Sequence, residues 1–546
     1  MDDVDRIIGF INPTYEILPW MKASVKVGID QFTDKRNSAF DINSATQPAG
    51  QVDYSVNSVS VVNTDALLLM NIEINEDIYL NATIGHNYYE RIQSIDSYQG
   101  TTMAIPGFYD ISNTTDVIAA KDESKRKLHG VFGDIKLSYK EMLFLNLTGR
   151  NDWSSTLPED DNSFFYPSAS LGFDVTEAFG IANNSTIPYA KVRASWGQVG
   201  NDAPIYSTTN VYTQAFVGGD GFINGVTFPA LGANAFERGA QLGNSVLKPE
   251  TTTTIEFGLD LKLLNGRIGL DLTYYDSETE DQIIPLTISR ATGFSSRVAN
   301  AGVITNEGLE AVLTARVIEN NDFVWDVDVN FTHYESVVEE LEVEDIFLAG
   351  FTSTSSRVRR GEPYGVIVGN SFQRNEEGRF IVGSDGWPLV NPEQDVIGDP
   401  NPDWTAGVRN TFSYKGISLS ALLDIREGGD MWNGTLGIIK YFGTAQETAD
   451  LRETAGFLYD GVVLTGTDGD GNPIYEENNT PVDFANPALG VGANRWVRYG
   501  FGGVSEESIE DASWVRLREV TLSYTLPSKL FADSFIEGIS VSFTGR

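Results

Sequence analysis

Residues 255–261 read IEFGLDL, and residues 268–274, which read IGLDLTY, repeat the same arrangement of side chains. In both segments every second residue is apolar, and the residues between them are polar or glycine. Because successive side chains of a β-strand point to opposite faces, each segment is predicted to form a strand with one apolar and one polar face. Glu256 and Asp260 lie on the polar face of the first segment.

The same period of two recurs along the chain, whereas helical spacing is almost nowhere sustained. We expect an all-β fold with about sixteen or seventeen strands. Residues 51–74 fit either two strands with a turn near Asn63-Thr64 or one longer irregular stretch. A slip in the alternation at Glu519-Val520 predicts a β-bulge. The further alternating segments are 23–29, 78–84, 131–139, 143–147, 190–196, 309–317, 323–331, 417–425 and 539–543.

Short and long connections alternate between these strands. Outer-membrane β-barrels have short periplasmic turns and long outer loops, and they turn the apolar face of each strand toward lipid. A sandwich of two sheets would instead point that face inward. We therefore predict one domain, a transmembrane antiparallel β-barrel. The alternative is a secreted, soluble, multi-domain β-sandwich that binds glycans. The predicted turns are 140–141, 264–266, 319–322 and 415–416, and the predicted irregular stretches are 89–125, 199–251, 278–304, 335–402 and 428–511.

The composition excludes several classes of protein. The formal net charge is -38, so the surface repels phosphate backbones and nucleic-acid binding is not expected. A content of 41% hydrophobic and 11% aromatic residues argues against disorder. The absence of cysteine removes disulfide frameworks, thiol catalysis and zinc–thiolate sites. No apolar run reaches the ~18 residues of a membrane-spanning helix, so a membrane-embedded form would have to be a barrel.

Aromatic residues recur near the ends of strands that lead into short turns. A membrane barrel carries girdles of such side chains at its two interfaces with water. The pattern therefore favours the barrel over the sandwich. The residues are Tyr139, Tyr189, Trp325, Tyr414 and Tyr524.

Five segments between residues 191 and 527 carry a resemblance to a known family. They are KVRASWGQVGN at 191–201, LKPETTTTIEFGLDL at 247–261, NEGLEAVL at 306–313, GDPNPDW at 398–404 and DASWVRLREVTLSYTLP at 511–527. In this order they resemble the barrel of SusC/RagA-type, TonB-linked outer-membrane transporters. GDPNPDW is the segment most particular to the SusC-like branch.

The resemblance implies a function for the chain. It implies a 22-stranded barrel with a plugged lumen in the cell outer membrane. It also implies a capping surface lipoprotein of the SusD type and import of oligosaccharides or peptides with energy delivered through TonB. Compared with that family, we expect the signal peptide, the TonB-contacting segment, the N-terminal plug and the final strand to be missing from the given residues. We accordingly expect residues 1–546 to be a partial barrel domain, truncated at both ends, with TonB contacted through the missing N-terminal region.

Residues that could carry chemistry are few. His86, His129 and His333 are widely separated, so no catalytic residues are predicted and the chain is not expected to be an enzyme. No cofactor is expected apart from a weak calcium candidate. In that candidate the oxygen ligands of Asp468, Asp470 and Asn472 stand at alternate positions, as in calcium loops. A plain polar turn explains the same residues.

The substrate cannot be read from the sequence, although two sets of residues are candidates for contact with it. Flat aromatic rings suit sugars and partner surfaces, and internal packing of a long loop explains them equally well. Polar residues on the lumen face suit a hydrated interior. The aromatic candidates are Trp432, Tyr441, Phe442, Tyr475 and Trp496, and the polar ones are Lys191, Arg193, Glu256 and Asp260.

Overall fold

The computed structural model describes residues 2–181, 184–217, 226–228, 230, 232–351, 353–485, 494–531, 535–536 and 538–546. The chain forms two compact units, which are described separately. Unit 1 comprises Met1–Ala182, Ala190–Phe257 and Ser277–Gly302. Unit 2 comprises Asn183–Tyr189, Gly258–Asp276 and Val303–Arg546.

Strands dominate the described residues. In chain order the first of them are β1 Asp2–Ile11, β2 Thr14–Leu18, β3 Met21–Phe40, β4 Gln51–Asn75, β5 Ile78–Met103, β6 Thr114–Tyr139, β7 Leu143–Ser154, β8 Ser163–Asp174, β9 Tyr189–Asn201, β10 Tyr212–Gln214, β11 Phe216–Val217, β12 Val226–Thr227, β13 Phe236–Arg238, β14 Gln241–Leu242, β15 Glu250–Leu263 and β16 Ile268–Glu280. They are followed by β17 Ile283–Thr287, β18 Ser296–Asn300, β19 Gly302–Glu319, β20 Phe323–Leu341, β21 Asp345–Gly350, β22 Thr354–Arg359, β23 Val366–Gly369, β24 Phe380–Ile381, β25 Asp395–Gly398, β26 Trp404–Tyr414, β27 Ile417–Glu427, β28 Asp430–Trp432, β29 Gly461–Thr467, β30 Pro473–Glu477, β31 Ile509–Asp511, β32 Trp514–Thr525 and β33 Ser540–Gly545.

Helices are few and short. The α-helices are α1 Val175–Ala178, α2 Gly434–Tyr441, α3 Gln446–Leu451 and α4 Arg495–Tyr499. Within the described ranges, none has the length and apolar character that a membrane-crossing helix requires.

Seventeen of the described strands take part in long antiparallel ladders, which agrees with the predicted number. In unit 1, β1 and β2 both pair with β3, and β3 to β9 then pair consecutively. In unit 2, β20, β26, β27, β32 and β33 pair consecutively. All eleven of the alternating segments predicted from the sequence lie in ladder strands, apart from Ile539, which precedes β33 by one residue.

The bulge predicted near Glu519-Val520 is confirmed. Leu422 pairs with Glu519, but its neighbour Leu423 pairs with Leu517, so Arg518 is an extra residue in β32. One inserted residue shifts the alternation by one position and restores the apolar side chains to a common face.

Two predictions about unit 1 are wrong. Residues 51–74 form neither two strands nor an irregular stretch but most of the single strand β4, in which Asn63 pairs with Gly28 on one side and Tyr89 on the other. Most of the stretch 89–125 belongs to β5 and β6, so the connection between them is only 104–113. The hydrogen bonds to neighbouring strands hold these stretches extended even where the sequence sustains no alternation.

The apolar face of unit 1 is its exposed face. One row of partners across the ladder joins Ala82, Ile135, Leu147 and Ala169, and Ile135 and Leu147 are 48% and 43% exposed. On the opposite face Asp152 is only 3% exposed. A water-soluble protein buries the first kind of side chain and exposes the second, so this arrangement suits a sheet whose outer surface meets lipid.

The apolar face of unit 2 is bounded by aromatic rings at both ends. Trp325 stacks on Phe412 at the short-turn end, and Phe331 stacks on Trp404 at the other. Trp404 begins β26 and Tyr414 ends it, ten residues apart. At about 3.4 Å per residue and a tilt of about 45°, this distance corresponds to a height of roughly 24 Å, close to the ~25 Å apolar band of outer-membrane barrels.

The other four stretches predicted to be irregular, 199–251, 278–304, 335–402 and 428–511, instead contain paired strands. Unit 2 contains a four-stranded sheet of β21, β22, β23 and β25, and a three-stranded sheet of β24, β29 and β30. Strands β17 and β18 pair within 278–304. The stretches 335–402 and 428–511 of unit 2 share a core, because buried residues from both pack together in one cluster. That cluster comprises Phe372, Trp387, Val482, Phe484, Trp496, Tyr499 and Val504.

Candidate functional site

A hydrogen-bonded network lies on the polar face of unit 1. The Nδ2 group of Asn87 donates to the Oδ1 atoms of Asn63, at 2.9 Å, and Asp65, at 2.6 Å. Arg150 donates to Asn87 at 3.5 Å and to Asp152 at 2.8 Å. The network spans strands β4, β5 and β7, and it compensates the charges of groups that are largely removed from water.

The network requires space that a glycine provides. Gly130 in β6 faces Arg150 and Asp152, and a Cβ atom there would overlap both side chains. The hydroxyl of Tyr166 in β8 also donates to Asp152. The polar face therefore presents fixed amide, guanidinium, carboxylate and phenol groups, which suit a hydrated lining.

The polar candidates Lys191, Arg193, Glu256 and Asp260 all lie on ladder strands. Glu256 accepts a hydrogen bond from the hydroxyl of Ser195 at 3.2 Å. The ammonium of Lys191 lies 4.8 Å from the centre of the Phe144 ring. Arg193 and Asp260 also have interaction partners. These contacts place the four side chains in the strand framework and do not gather them into one site.

The end of the KVRASWGQVGN segment is fixed by a buried carboxylate. Asp202, which follows this segment, accepts two hydrogen bonds from Arg126, at 2.9 and 2.6 Å. It also accepts hydrogen bonds from Ser154, at 2.5 Å, and Thr156, at 3.0 Å. The carboxylate thereby joins the end of β9 to β6 and to the end of β7. Sequence reasoning missed this pair because Arg126 and Asp202 are 76 residues apart.

The LKPET segment fixes the start of β15 in the same unit. The backbone amide and carbonyl of Lys248 bond to the side chain of Asn300, at 3.0 and 2.9 Å. The carboxylate of Glu250 accepts from Asn201, at 2.8 Å, and from the backbone amide of Ile283, at 2.7 Å. The segment therefore joins two loops to the strand that it begins.

GDPNPDW performs a comparable task in unit 2. The amide of Asp399 donates to the carboxylate of Asp430 at 2.9 Å, and the amide of Asp430 donates to the carbonyl of Asp399 at 2.6 Å. Arg426 donates to the carbonyl of Pro400 at 2.6 Å. The start of β26 is thus attached to the end of β27.

The DASWVR segment is attached to the same place. The amide of Gly428 donates to the hydroxyl of Ser513 at 2.8 Å, and Asp511 accepts from that hydroxyl at 2.5 Å. Gly428 and Gly429 have φ values of 76° and 83°, a region that glycine adopts without strain. Two of the segments that carry the family resemblance therefore meet in one polar cluster at the base of the unit 2 loops.

The aromatic candidates do not form one binding surface. Trp496 is 4% exposed and packs edge-on against Phe484, with ring centres 5.9 Å apart, so it contributes to the loop core. Trp432 is half-buried against another ring, and Tyr475 is half-buried in β30. Tyr441 packs against Phe442, which is 72% exposed. In the described ranges, no ring contact joins any two of the five candidates except Tyr441 and Phe442.

The calcium candidate lies at the tip of the β29–β30 hairpin. The carboxylate of Asp468 accepts from the amides of Asp470 and Asn472, at 2.9 and 2.8 Å, and from the side chain of Asn472, at 3.0 Å. The hydrogen bond from the Asn472 side chain, aided by the backbone amides, lowers the pKa of Asp468. These are the contacts of a polar turn, and calcium binding here stays a prediction, to be tested by calcium titration.

The histidines have structural surroundings. His86 and His129 lie side by side on the exposed face of β5 and β6, with ring centres 5.8 Å apart. His333 shares a hydrogen bond of 2.6 Å with the carbonyl of Asp403. Across the ranges that the structure describes, no three His, Asp or Glu side chains are grouped to hold a metal ion.

Comparison with known proteins gives the family. The family model described as "TonB dependent receptor-like, beta-barrel" matches residues 15–527. The chain belongs to this receptor family. The predicted family, fold class and location are confirmed: the protein is an outer-membrane β-barrel of the TonB-dependent receptor type, in a family of receptors and transporters. The soluble-sandwich alternative is excluded.

Individual proteins resemble this chain at low sequence identity. TonB-dependent receptor P3 of Formosa agariphila is 24% identical over 494 residues, which cover 85% of this chain and 45% of the relative. TonB-dependent receptor SusC of Bacteroides thetaiotaomicron is 24% identical over 417 residues, which cover 74% and 38%. The structure of the RagAB peptide transporter superposes with a TM-score of 0.75 at 18% identity, covering all of this chain and 58% of that one. The chain thus spans less than half the length of these two curated relatives.

Proposed function

We propose that this chain forms the barrel of a TonB-dependent importer that carries oligosaccharides, or peptides, across the outer membrane. The observation that carries the proposal is the match to the receptor-like barrel family over residues 15–527. The faces of the strands support it. An apolar outer surface suits lipid, and a polar face with a fixed hydrogen-bonded network suits a hydrated passage.

We further propose that the importer works with a SusD-like surface lipoprotein. Similarity to SusC and to the RagAB transporter supports this partner. The loops of unit 2 support it as well, because they fold into small sheets with a buried aromatic core. A preformed surface loses little conformational entropy when a partner binds.

Growth of the native bacterium tests the transport function. A strain that lacks the gene for this chain should fail to grow on one class of oligosaccharide or peptide that supports the parent. Loss of TonB should give the same defect, and restoring the gene should remove it. Normal growth of the deletion strain on every such nutrient would contradict the proposal.

Isolation from the membrane tests the partner. The protein purified from its native membrane in mild detergent should carry a lipoprotein in constant ratio. Repeated purification without such a subunit, under conditions that keep the barrel folded, would count against it.

A further inference from the structure

A cavity of about 510 Å³ lies among the folded loops of unit 2. Its volume is within the range of small-molecule sites, about 300–1,000 Å³. The wall is formed by segments that are distant in sequence, and its polar groups are side-chain amides, carboxylates, a hydroxyl and a guanidinium. The polar lining residues are Ser371, Gln373, Arg374, Asn391, Asp395 and Glu506.

One side of the cavity is held rigidly by Glu506. Its carboxylate accepts from Arg374 at 2.5 and 3.1 Å and from the backbone amide of Phe372 at 3.0 Å. The ring of Phe372 in turn packs edge-on against that of Tyr499, with centres 5.0 Å apart, in the aromatic core. A ligand here would meet a preformed wall, which reduces the entropic cost of binding.

Other groups in the wall keep hydrogen-bonding capacity. Gln373 donates through Nε2 to the carbonyl of Val390 at 3.1 Å. Asp395 accepts at Oδ1 from the amide of Val396 at 2.8 Å. Among the described residues no donor reaches Oε1 of Gln373 or Oδ2 of Asp395. Each can accept a hydrogen bond from a ligand hydroxyl.

The charge of the wall restricts the ligand. One guanidinium, Arg374, stands against two carboxylates, Asp395 and Glu506, and Glu506 already neutralises the guanidinium. The remaining negative charge repels anions. The half-buried side chains of Ile381, Val396 and Ile397 add apolar surface to the wall, as in most small-molecule sites.

We infer that this cavity binds a neutral saccharide unit through Gln373 and Asp395, with Glu506 positioning the wall. The inference rests on the proposed import function and narrows its substrate to uncharged oligosaccharides. The site selects hydroxyl donors and rejects uronic acids and sulfated sugars.

Calorimetric titration of the full chain in detergent tests the inference. The probes are maltohexaose, mannohexaose, hexagalacturonide and hexaalanine. At least one neutral hexasaccharide should bind, and hexagalacturonide should bind more weakly. Gln373→Leu should weaken binding of the neutral ligand by roughly three- to tenfold, the loss expected for one neutral hydrogen bond. Asp395→Asn should weaken it by roughly the same factor, because it exchanges a charged acceptor for a neutral one.

A matched control is Glu476→Gln, which also neutralises one carboxylate but changes an exposed residue of β30 outside the cavity. It should leave binding unchanged, and a heat-dependent gel shift should show that all variants are folded. Unchanged affinity in both cavity variants, or preference for hexagalacturonide, would overturn the inference. In that case, uptake of the bound hexasaccharide by wild-type cells would still support the proposed importer. Uptake of hexaalanine alone would show that the importer carries peptides and not oligosaccharides.

Discussion

Replacing Ile135 with arginine tests whether the apolar face of unit 1 meets lipid. Ile135 is 48% exposed, and its partners in the ladder are Ala82 on β5 and Leu147 on β7. In water, a substitution at so exposed a position changes the free energy of unfolding by only about 0.5 kcal/mol. In a bilayer the cost depends on depth, because the guanidinium must leave water.

The depth of Ile135 follows from its place in β6. It is four residues from Tyr139, which ends the strand at the short turn, and six from His129, which pairs with Trp153. It therefore lies near the middle of the apolar band. There an arginine on the lipid face costs about 2–4 kcal/mol, so we expect Ile135→Arg to destabilise the protein by that amount.

A matched variant distinguishes the cost of placing a charge against lipid from the cost of inserting a larger side chain. Ser170 lies next to Ala169, which belongs to the same row as Ile135, but it is on the polar face opposite Asn146 and Ser195. Ser170→Arg should cost much less because its charge stays in a hydrated lining. Both variants should be measured by reversible guanidinium unfolding in lipid bilayers. Equal costs for the two variants, or a cost below about 1 kcal/mol for Ile135→Arg, would refute the assigned facing.

Three further predictions concern the loops. Asp202→Asn removes the buried carboxylate that accepts four hydrogen bonds, so it should destabilise the loop base by about 1–3 kcal/mol and expose 202–217 to limited proteolysis. Trp496→Ala should cost about 3–5 kcal/mol in the thermal stability of the loops, whereas Phe442→Ala, at an exposed ring, should change it by less than about 0.5 kcal/mol. The hydrogen bond from Arg379 lowers the pKa of Glu477, so their contact is fully present above the ordinary carboxyl pKa and is lost only as pH falls through the lowered one. Protease sensitivity of the β29–β30 hairpin should therefore rise only in acid, and Arg379→Met should remove this dependence.

Each of these predictions has a contrary result. Unaltered proteolysis of Asp202→Asn would mean that the loop base is held by other contacts. Equal stability losses in the Trp496 and Phe442 variants would contradict the assignment of the first to the core. A hairpin that opens at the same pH with and without Arg379 would show that another group titrates.

The strand pattern could be predicted wherever one face had to be apolar. Alternation identified segments such as 131–139 and 417–425 because lipid requires an apolar side chain at every second position. The slip at Glu519-Val520 was informative for the same reason, since a bulge is the simplest way to keep that face continuous.

Alternation gave no information where both faces of a strand are polar. The outer ends of β5 and β6 contain sequences such as SIDSYQG at 94–100, which resemble loops. Twenty-five pairs of opposed residues between the two strands nevertheless keep both extended from Ile78 to Met103 and from Thr114 to Tyr139. At these outer ends, hydrogen bonding to the neighbouring strand determines the structure. The side-chain pattern of one strand contains no information about that pairing.

The candidate site was less predictable because its decisive contacts join distant residues. The Arg374–Glu506 pair spans 132 positions and the Arg126–Asp202 pair spans 76. Aromatic composition singled out Trp496, but only packing shows that its ring is buried. Nothing local in the sequence distinguishes a ring in a loop core from a ring that awaits a ligand.

The segments that carry the family resemblance share a structural role, and this role explains why they identify the family but not the substrate. In unit 1, LKPET bonds to the side chain of Asn300, and in unit 2, GDPNPDW bonds to Asp430. Both attach loops to strands, a task that does not depend on what the barrel carries. The residues that line the unit 2 cavity lie outside these segments, in 371–397 and at Glu506. Family membership can therefore be recognised from the attachment points, whereas selectivity for a substrate has to be sought in the loops that they hold.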